Sequence, residues 1–205
     1  TTFTISSGDI GASHYLYDHL RLLDYFSSGN LKELAQKITL DNAMLNYLDN
    51  TQNNANNPNE NYAREFLELF TITKGEQIGE GDYSTYTEND VIMAAKVFSG
   101  FKTKLDRTII DPDTGIPMGR ISVNQHDQST KIFSHAFDNY ELSGGTDENS
   151  IMLELHQFVD MIFNKQETAR AYVKKLYRFF VKSEWTSEDE TTIINPLAQQ
   201  LMEND

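Results

Sequence analysis

Apolar side chains recur at three- and four-residue intervals through most of this chain, and that spacing commits it to packed helices. From about Gly11 to Ser27 the pattern is carried by Tyr15, Leu16, His19, Leu20, Leu22, Leu23 and Phe26, and Ser28-Gly29-Asn30 ends it. A second helix begins at Leu31 with Leu34, Ala35 and Ile38 on one side. Asp41 can cap a short third helix bearing Met44, Leu45 and Leu48. Thr87 with Asp90 opens another helix, which carries Val91, Ile92, Ala95 and Phe98 and closes at Gly100. A turn at 143–147 feeds a helix with Ile151, Leu155, Phe158, Val159 and Ile162, and Asp147 and Glu148 suit its start. Residues 166–181 place Ala169, Tyr172, Val173, Leu176 and Phe180 inward. A capping box at Ser187–Glu190 begins the last helix, where Pro196 either kinks it or sits in its first turns.

Strand signals are confined to one place. Thr108-Ile109-Ile110, the turn Asp111-Pro112-Asp113-Thr114-Gly115 and the run Ile116 to Val123 predict a β-hairpin, whereas Gly75 to Tyr86 reads as a loop. The expected fold is therefore mainly α. It is an irregular bundle of about seven helices forming a single domain over 1–205, with a small hairpin and loop insertion at about 102–135. With 205 residues, 39% of them hydrophobic, the chain can bury a sizeable core.

Charge narrows the partners. There are 17 basic and 31 acidic residues, a net charge of −14, so no dense basic face is available for nucleic acid or an anionic membrane. No apolar run reaches the roughly 18–20 residues of a membrane span. Without cysteine there is no disulfide, thiolate nucleophile or Cys-based zinc site. Thr1 lacks the basic-then-apolar pattern of a signal peptide and the end Glu203-Asn204-Asp205 is polar, which reads as a segment of something longer.

The most distinctive stretch lies at 46–71. Eight of the sixteen residues from Asn46 to Asn61 are Asn, a composition for ordered turns, because Asn side chains bond nearby backbone. Asn57 then predicts a helix N-cap, with Pro58 in the first helical position and Glu60 in the third. On the helix so opened, Glu60, Asn61, Arg64, Glu65 and Glu68 share one face, and Tyr62, Phe66, Leu69 and Phe70 the other.

Several stretches together carry a family resemblance. They are Met44-Leu45-Asn46-Tyr47-Leu48-Asp49-Asn50, the run from Pro58 to Thr71, the helix end from Ala94 to Phe101, the His126-Asp127 to Lys131 loop, and Lys175 to Val181. In that order they resemble the large bacterial family catalogued as domain of unknown function 1800, from about residue 15 to residue 201. Members often carry export signals, so the resemblance implies a periplasmic, cell-surface or secreted setting. It carries no established activity.

Two groups of polar residues are candidates for function. Glu60, Arg64 and Glu68 stand at i, i+4 and i+8, which suits ion pairs along a solvated face. The same face could instead bind a hard cation or line a polar cleft through Asn61, Glu65 and Glu68, or be buried against the Asn-rich turn. His126 beside Asp127, with Lys131 nearby, offers a general base or metal ligand. A carboxylate–histidine centre would draw catalytic candidates from Glu65, Glu68, His126 and Asp127, metal candidates from Glu65, Glu68 and His126, and binding candidates from Asn59, Asn61, Arg64 and Lys131. No cofactor is expected, although a divalent metal is compatible with those ligands. Trp185 could stack on a ligand or serve as a packed anchor. The leading expectation is a non-enzymatic exported or envelope scaffold that binds a protein or polymer. The alternative is a hydrolase-like enzyme.

Overall fold

The computed structural model describes residues 3–6 and 11–203, so Thr1 and the Asn204-Asp205 end lie outside the described residues. Among the described residues the chain forms eight helices and three small two-stranded antiparallel ladders, and the mainly α reading stands. The first three helices are α1 (Ser13–Tyr25), α2 (Leu31–Ile38) and α3 (Asn42–Tyr47). Next come α4 (residues 61–70), α5 (Glu88–Val97), α6 (Glu148–Phe163), α7 (Gln166–Phe180) and α8 (residues 187–203). The ladders pair β1 (Gln77–Gly79) with β2 (Asp82–Tyr83), β3 (Phe101–Lys102) with β4 (Arg120–Ile121), and β5 (Lys131–Ile132) with β6 (Glu141–Leu142).

Caps fix most helix starts as the sequence predicts. The Asp41 carboxylate accepts from Met44 N, and Thr87 with Asp90 and Asp147 with Ser150 form reciprocal capping boxes. In α8 the box is Thr186 with Asp189, one residue earlier than expected, and Pro196 lies in the first turn of the segment Asn195–Glu203. The start of α4 departs further. Its first helical residue is Asn61, not Pro58, because Asn57 and Asn59 are spent on the turn before it. Asn57 N bonds Asn54 Oδ1, and Asn59 Oδ1 accepts from Asn61 N.

Helix α4 also changes pitch. Residues Asn61–Glu65 are α-helical and Phe66–Phe70 form a wider π turn. The extra residue rotates the remainder of the helix, so Leu67 is buried and Leu69, expected inside, is 54% exposed. The two carbonyls at its end are capped from α7: Tyr172 OH donates to Phe70 O at 2.6 Å and Lys175 Nζ donates to Leu69 O. Burial lowers the Lys175 pKa to about 8. Just beyond, Thr73 takes a left-handed φ of 64°, held by Thr73 N to Leu67 O and Thr85 Oγ1 to Thr73 O.

The centre of the core is aromatic. Phe66 lies with its ring centroid 5.0 Å from Phe98 and 5.9 Å from Phe158, while Tyr62 meets Phe98 edge-on at 4.8 Å. Thus α4, α5 and α6 converge on one cluster, which Phe133 joins from the loop after β5.

The Asn-rich stretch is an ordered knot, as its composition predicts. Asn50 Nδ2 donates to Phe98 O and Asn53 Nδ2 to Ala95 O, with both amides buried against the end of α5. Lys102 Nζ donates to Thr51 O and Asn53 O from β3. Here side chains do the work that a ladder does elsewhere.

Two expectations about strands also require correction. Residues 75–86 hold the β1–β2 ladder, not an irregular loop. Residues 108–123 form only a single bridge, Ile110 with Pro117, and the strand after it pairs with β3. Pro117 has no N–H to extend a ladder, and Gly119 N is already given to Leu40 O at 2.7 Å. A Cβ at Gly119 would fall 2.7 Å from both Leu45 Cδ1 and Lys102 O, so only glycine permits this approach.

At the C-terminal end, α7 uses Ala169 and Val173 to pack on Ile194 and Ala198 of α8. Trp185 packs beside them, with Lys174 Nζ 5.0 Å and Arg178 Cζ 5.1 Å from its ring, so it is an anchor clasped by two cations. Leu176 and Phe180, expected inward, are exposed instead, since the groove they border has no cover.

Candidate functional site

Helix α4 carries the first polar group, and its residues part company. Asn61 turns back to the Asn knot, where Nδ2 donates to Leu48 O at 3.2 Å, and Asn59 stays within the same turn. Arg64 points the other way, to α5. Its guanidinium makes a bidentate pair with Glu88, at 3.0 and 2.6 Å, and also meets Glu60 at 3.2 Å and Glu68 at 3.6 Å. Glu68 in turn accepts from Tyr86 OH at 2.5 Å and lies 3.6 Å from Lys74. Burial, with Glu68 next, raises the Tyr86 hydroxyl pKa, so the phenol stays a donor. Glu65 stands apart from these bonds, its carboxyl pushed up by burial and then by the neighbouring Glu68 charge.

The Arg64 guanidinium holds the Glu88 carboxyl below the usual carboxylate range. Both side chains are more than a third exposed or close to it, at 33% and 38%, so solvent screens the pair. A double-mutant cycle of Arg64→Met and Glu88→Gln should give a coupling of about 0.5–1 kcal/mol at neutral pH. Because the folded-state pKa of Glu88 is depressed, this stabilisation is complete above its ordinary value of 4.5 and is lost as pH falls through the folded value. A coupling that survives protonation of the carboxylates would contradict the assignment.

The second polar group closes around a residue that sequence reasoning missed. His126 Nε2 lies 2.9 Å from Glu154 Oε2, and His126 Nδ1 lies 2.8 Å from Ser99 O. Lys131 Nζ lies 2.7 Å from Glu154 Oε1, an ion pair more than a well-directed hydrogen bond, and donates to Asp127 O. Gly145 N adds a bond to Glu154 Oε2 at 2.6 Å. The side chains of His126, Glu154 and Lys131 are all at most 1% exposed. Asp127 sits at the edge. Burial works against its ionised form, but the Ser129 hydroxyl and amide, with Lys131, hold its carboxyl below the usual range.

The structure therefore does not join the two groups. Both His126 nitrogens are taken by Ser99 and Glu154, and Glu68 is taken by Tyr86 and Arg64, so no centre links His126 with Glu65 or Glu68. Among the described residues no three His, Cys, Asp or Glu side chains form a metal-binding group. Glu154 was legible in one respect. It interrupts the inward stripe of α6 one turn before Phe158, and a carboxylate there needs a buried partner. Two further pairs lie elsewhere: the buried His19 Nδ1 with Asp41 Oδ2 at 2.8 Å, where His19 likewise interrupts the stripe of its helix, and the half-exposed Arg107, bidentate to the buried Asp18 at 3.0 and 2.8 Å.

An exposed apolar surface lies on α7 and α8. A groove of about 480 Å³ runs between them, lined by Val173, Leu176, Tyr177, Phe180, Ile193 and Leu197 among others. Phe179 and Phe180 are 72% and 74% exposed, and Val181 and Leu197 continue the patch. No helix among the described residues is long and apolar enough to cross a membrane.

Neither a curated protein nor a solved structure matches this chain. The model of one family, described as protein of unknown function DUF1800, matches residues 1–205, and with the whole of its length covered the chain belongs to that family.

Proposed function

We propose that this chain is a non-enzymatic binding domain that docks a protein partner along the α7–α8 groove. The supporting observation is the exposed apolar face of Leu176, Phe179, Phe180, Val181 and Leu197. Monomers seldom leave several large apolar side chains side by side in water, and a cluster of this kind marks a site of association. A polysaccharide would need hydrogen-bond groups along its track, and the lining of this groove is chiefly apolar. An apolar ridge on a partner helix suits it better. Helix α7 holds four basic residues, Arg170, Lys174, Lys175 and Arg178, against one acid, Glu167, in an otherwise acidic chain. Glu190 takes Arg170 and Lys174, but Arg178 has no carboxylate partner among the described residues, so an acidic flank on the partner is favoured. An envelope or secreted setting, implied by the family resemblance, belongs to the same proposal.

A photo-crosslinking residue at Phe180 tests the docking reading in cells. The expected result is a discrete protein adduct that is absent when the crosslinker replaces Leu105, which is equally exposed but isolated. An adduct containing only this chain would make the partner a second copy. Failure to form an adduct, or the same adducts from Leu105, would overturn the reading.

A further inference from the structure

A second concavity lies far along the chain from that groove, where α2, residues 109–121 and the first turns of α6 enclose about 300 Å³. Its walls are chiefly Leu22, Leu40, Ile109, Ile116, Met118 and Met152. Two of these are flexible thioethers, which adapt to irregular apolar shapes. The volume is at the lower end of the range for small-molecule sites.

The polar groups at this cavity do not answer one another equally. Lys37 Nζ is held by Asp111 at 2.6 Å and Asp113 at 2.5 Å, so its charge is already matched. Arg120 and Glu148 carry opposite signs at the rim. Asp41 is bound to His19, and the carboxylates at the cavity outnumber its two cations, so an anion is disfavoured and the mostly apolar walls favour an uncharged guest. His156 is different. It lines the cavity from α6, is partly buried, and its ring has no hydrogen-bond partner among the described residues. Burial, followed by the Lys37 charge, lowers its pKa. The ring is thus kept in the form that offers one donor and one acceptor.

We infer that this cavity is a binding site for an uncharged, mostly apolar molecule of roughly ten to fifteen heavy atoms with one hydroxyl or carbonyl group, hydrogen-bonded to His156. The hydrocarbon body lies between Met118 and Met152. The polar end fills the valence that the protein leaves open on the imidazole. This site is independent of the docking face, shares no lining residue with it, and stands or falls separately.

The pair 1-naphthol and naphthalene tests both halves of the inference, because they share a frame and differ by one hydroxyl. With methionine methyl groups observed by NMR, both compounds should bind saturably to the 205-residue chain and shift the Met118 and Met152 signals. His156→Leu should weaken 1-naphthol roughly five- to tenfold while leaving naphthalene unchanged or tighter. Met152→Trp should abolish binding of both by filling the space. Met118→Trp repeats that test from the opposite wall if the first variant does not fold. Absence of saturable binding, or binding indifferent to either tryptophan, overturns the site. Equal weakening of both probes by His156→Leu overturns the role of the ring.

Discussion

Replacing Glu154 with Leu is expected to cost about 3–5 kcal/mol, the loss typical when one partner is removed from a buried ion pair. In a chain of this length that corresponds to a fall in Tm of roughly 10 °C. The reason is the number of groups that Glu154 serves. Without it Lys131 keeps only Asp127, whose carboxylate lies 3.6 Å away at the edge of the cluster, His126 Nε2 has no acceptor or donor opposite, and Gly145 N loses its bond. The double variant Lys131→Met with Glu154→Leu should regain about half of the loss, since it also removes the under-compensated buried cation. Denaturant unfolding of the two variants beside the parent decides the matter. If Glu154→Leu costs under about 1 kcal/mol, the cluster does not support the fold as argued.

Phe66→Ala should be as severe, at about 3–5 kcal/mol, because its ring fills the space where α4, α5 and α6 meet. The neighbouring leucines sharpen the point. Leu67→Ala should cost about 2–4 kcal/mol and Leu69→Ala no more than about 0.5 kcal/mol. An unbroken α-helix with the face assigned from sequence requires the reverse order. Thermal or denaturant unfolding of the three variants would separate these pictures.

That comparison also marks where sequence reasoning stops. The helices at α1, α2, α3, α5 and α6 were legible because each has an apolar stripe of the right period, and all but α1 also have a side-chain cap. The Asn knot was legible in kind but not in its partners, since Asn50 and Asn53 reach across more than 40 residues to α5. The π turn was not legible at all. Periodicity at 100° per residue assumes one pitch, and Phe66-Leu67-Glu68-Leu69-Phe70 has apolar residues enough to satisfy either phase. The missing cover over Leu176 and Phe180 was equally hidden, because an inward stripe and an unpartnered one look alike in sequence.

For the polar residues, local spacing gave the Arg64 pairs along α4 but not Glu88, which binds it most closely from another helix. His126 and Lys131 proved to be neighbours in space, as the loop suggested, but the carboxylate between them comes from Glu154 and not from α4. Long-range carboxylate partners leave no mark on spacing. Their one trace is an acid set among inward positions, as at Glu154.

The setting of Trp185 has a practical consequence for anyone following unfolding by light. It is the sole tryptophan in the chain, and it reports from the corner where α7 meets α8, apart from the ring cluster of Phe66, Phe98 and Phe158. Indole emission will therefore track the loosening of that corner, quenched or released by its two flanking cations. Far-ultraviolet dichroism will follow the helices as a whole. If the two curves separate on heating, the corner melts before the centre, and fluorescence alone would understate how long the centre survives.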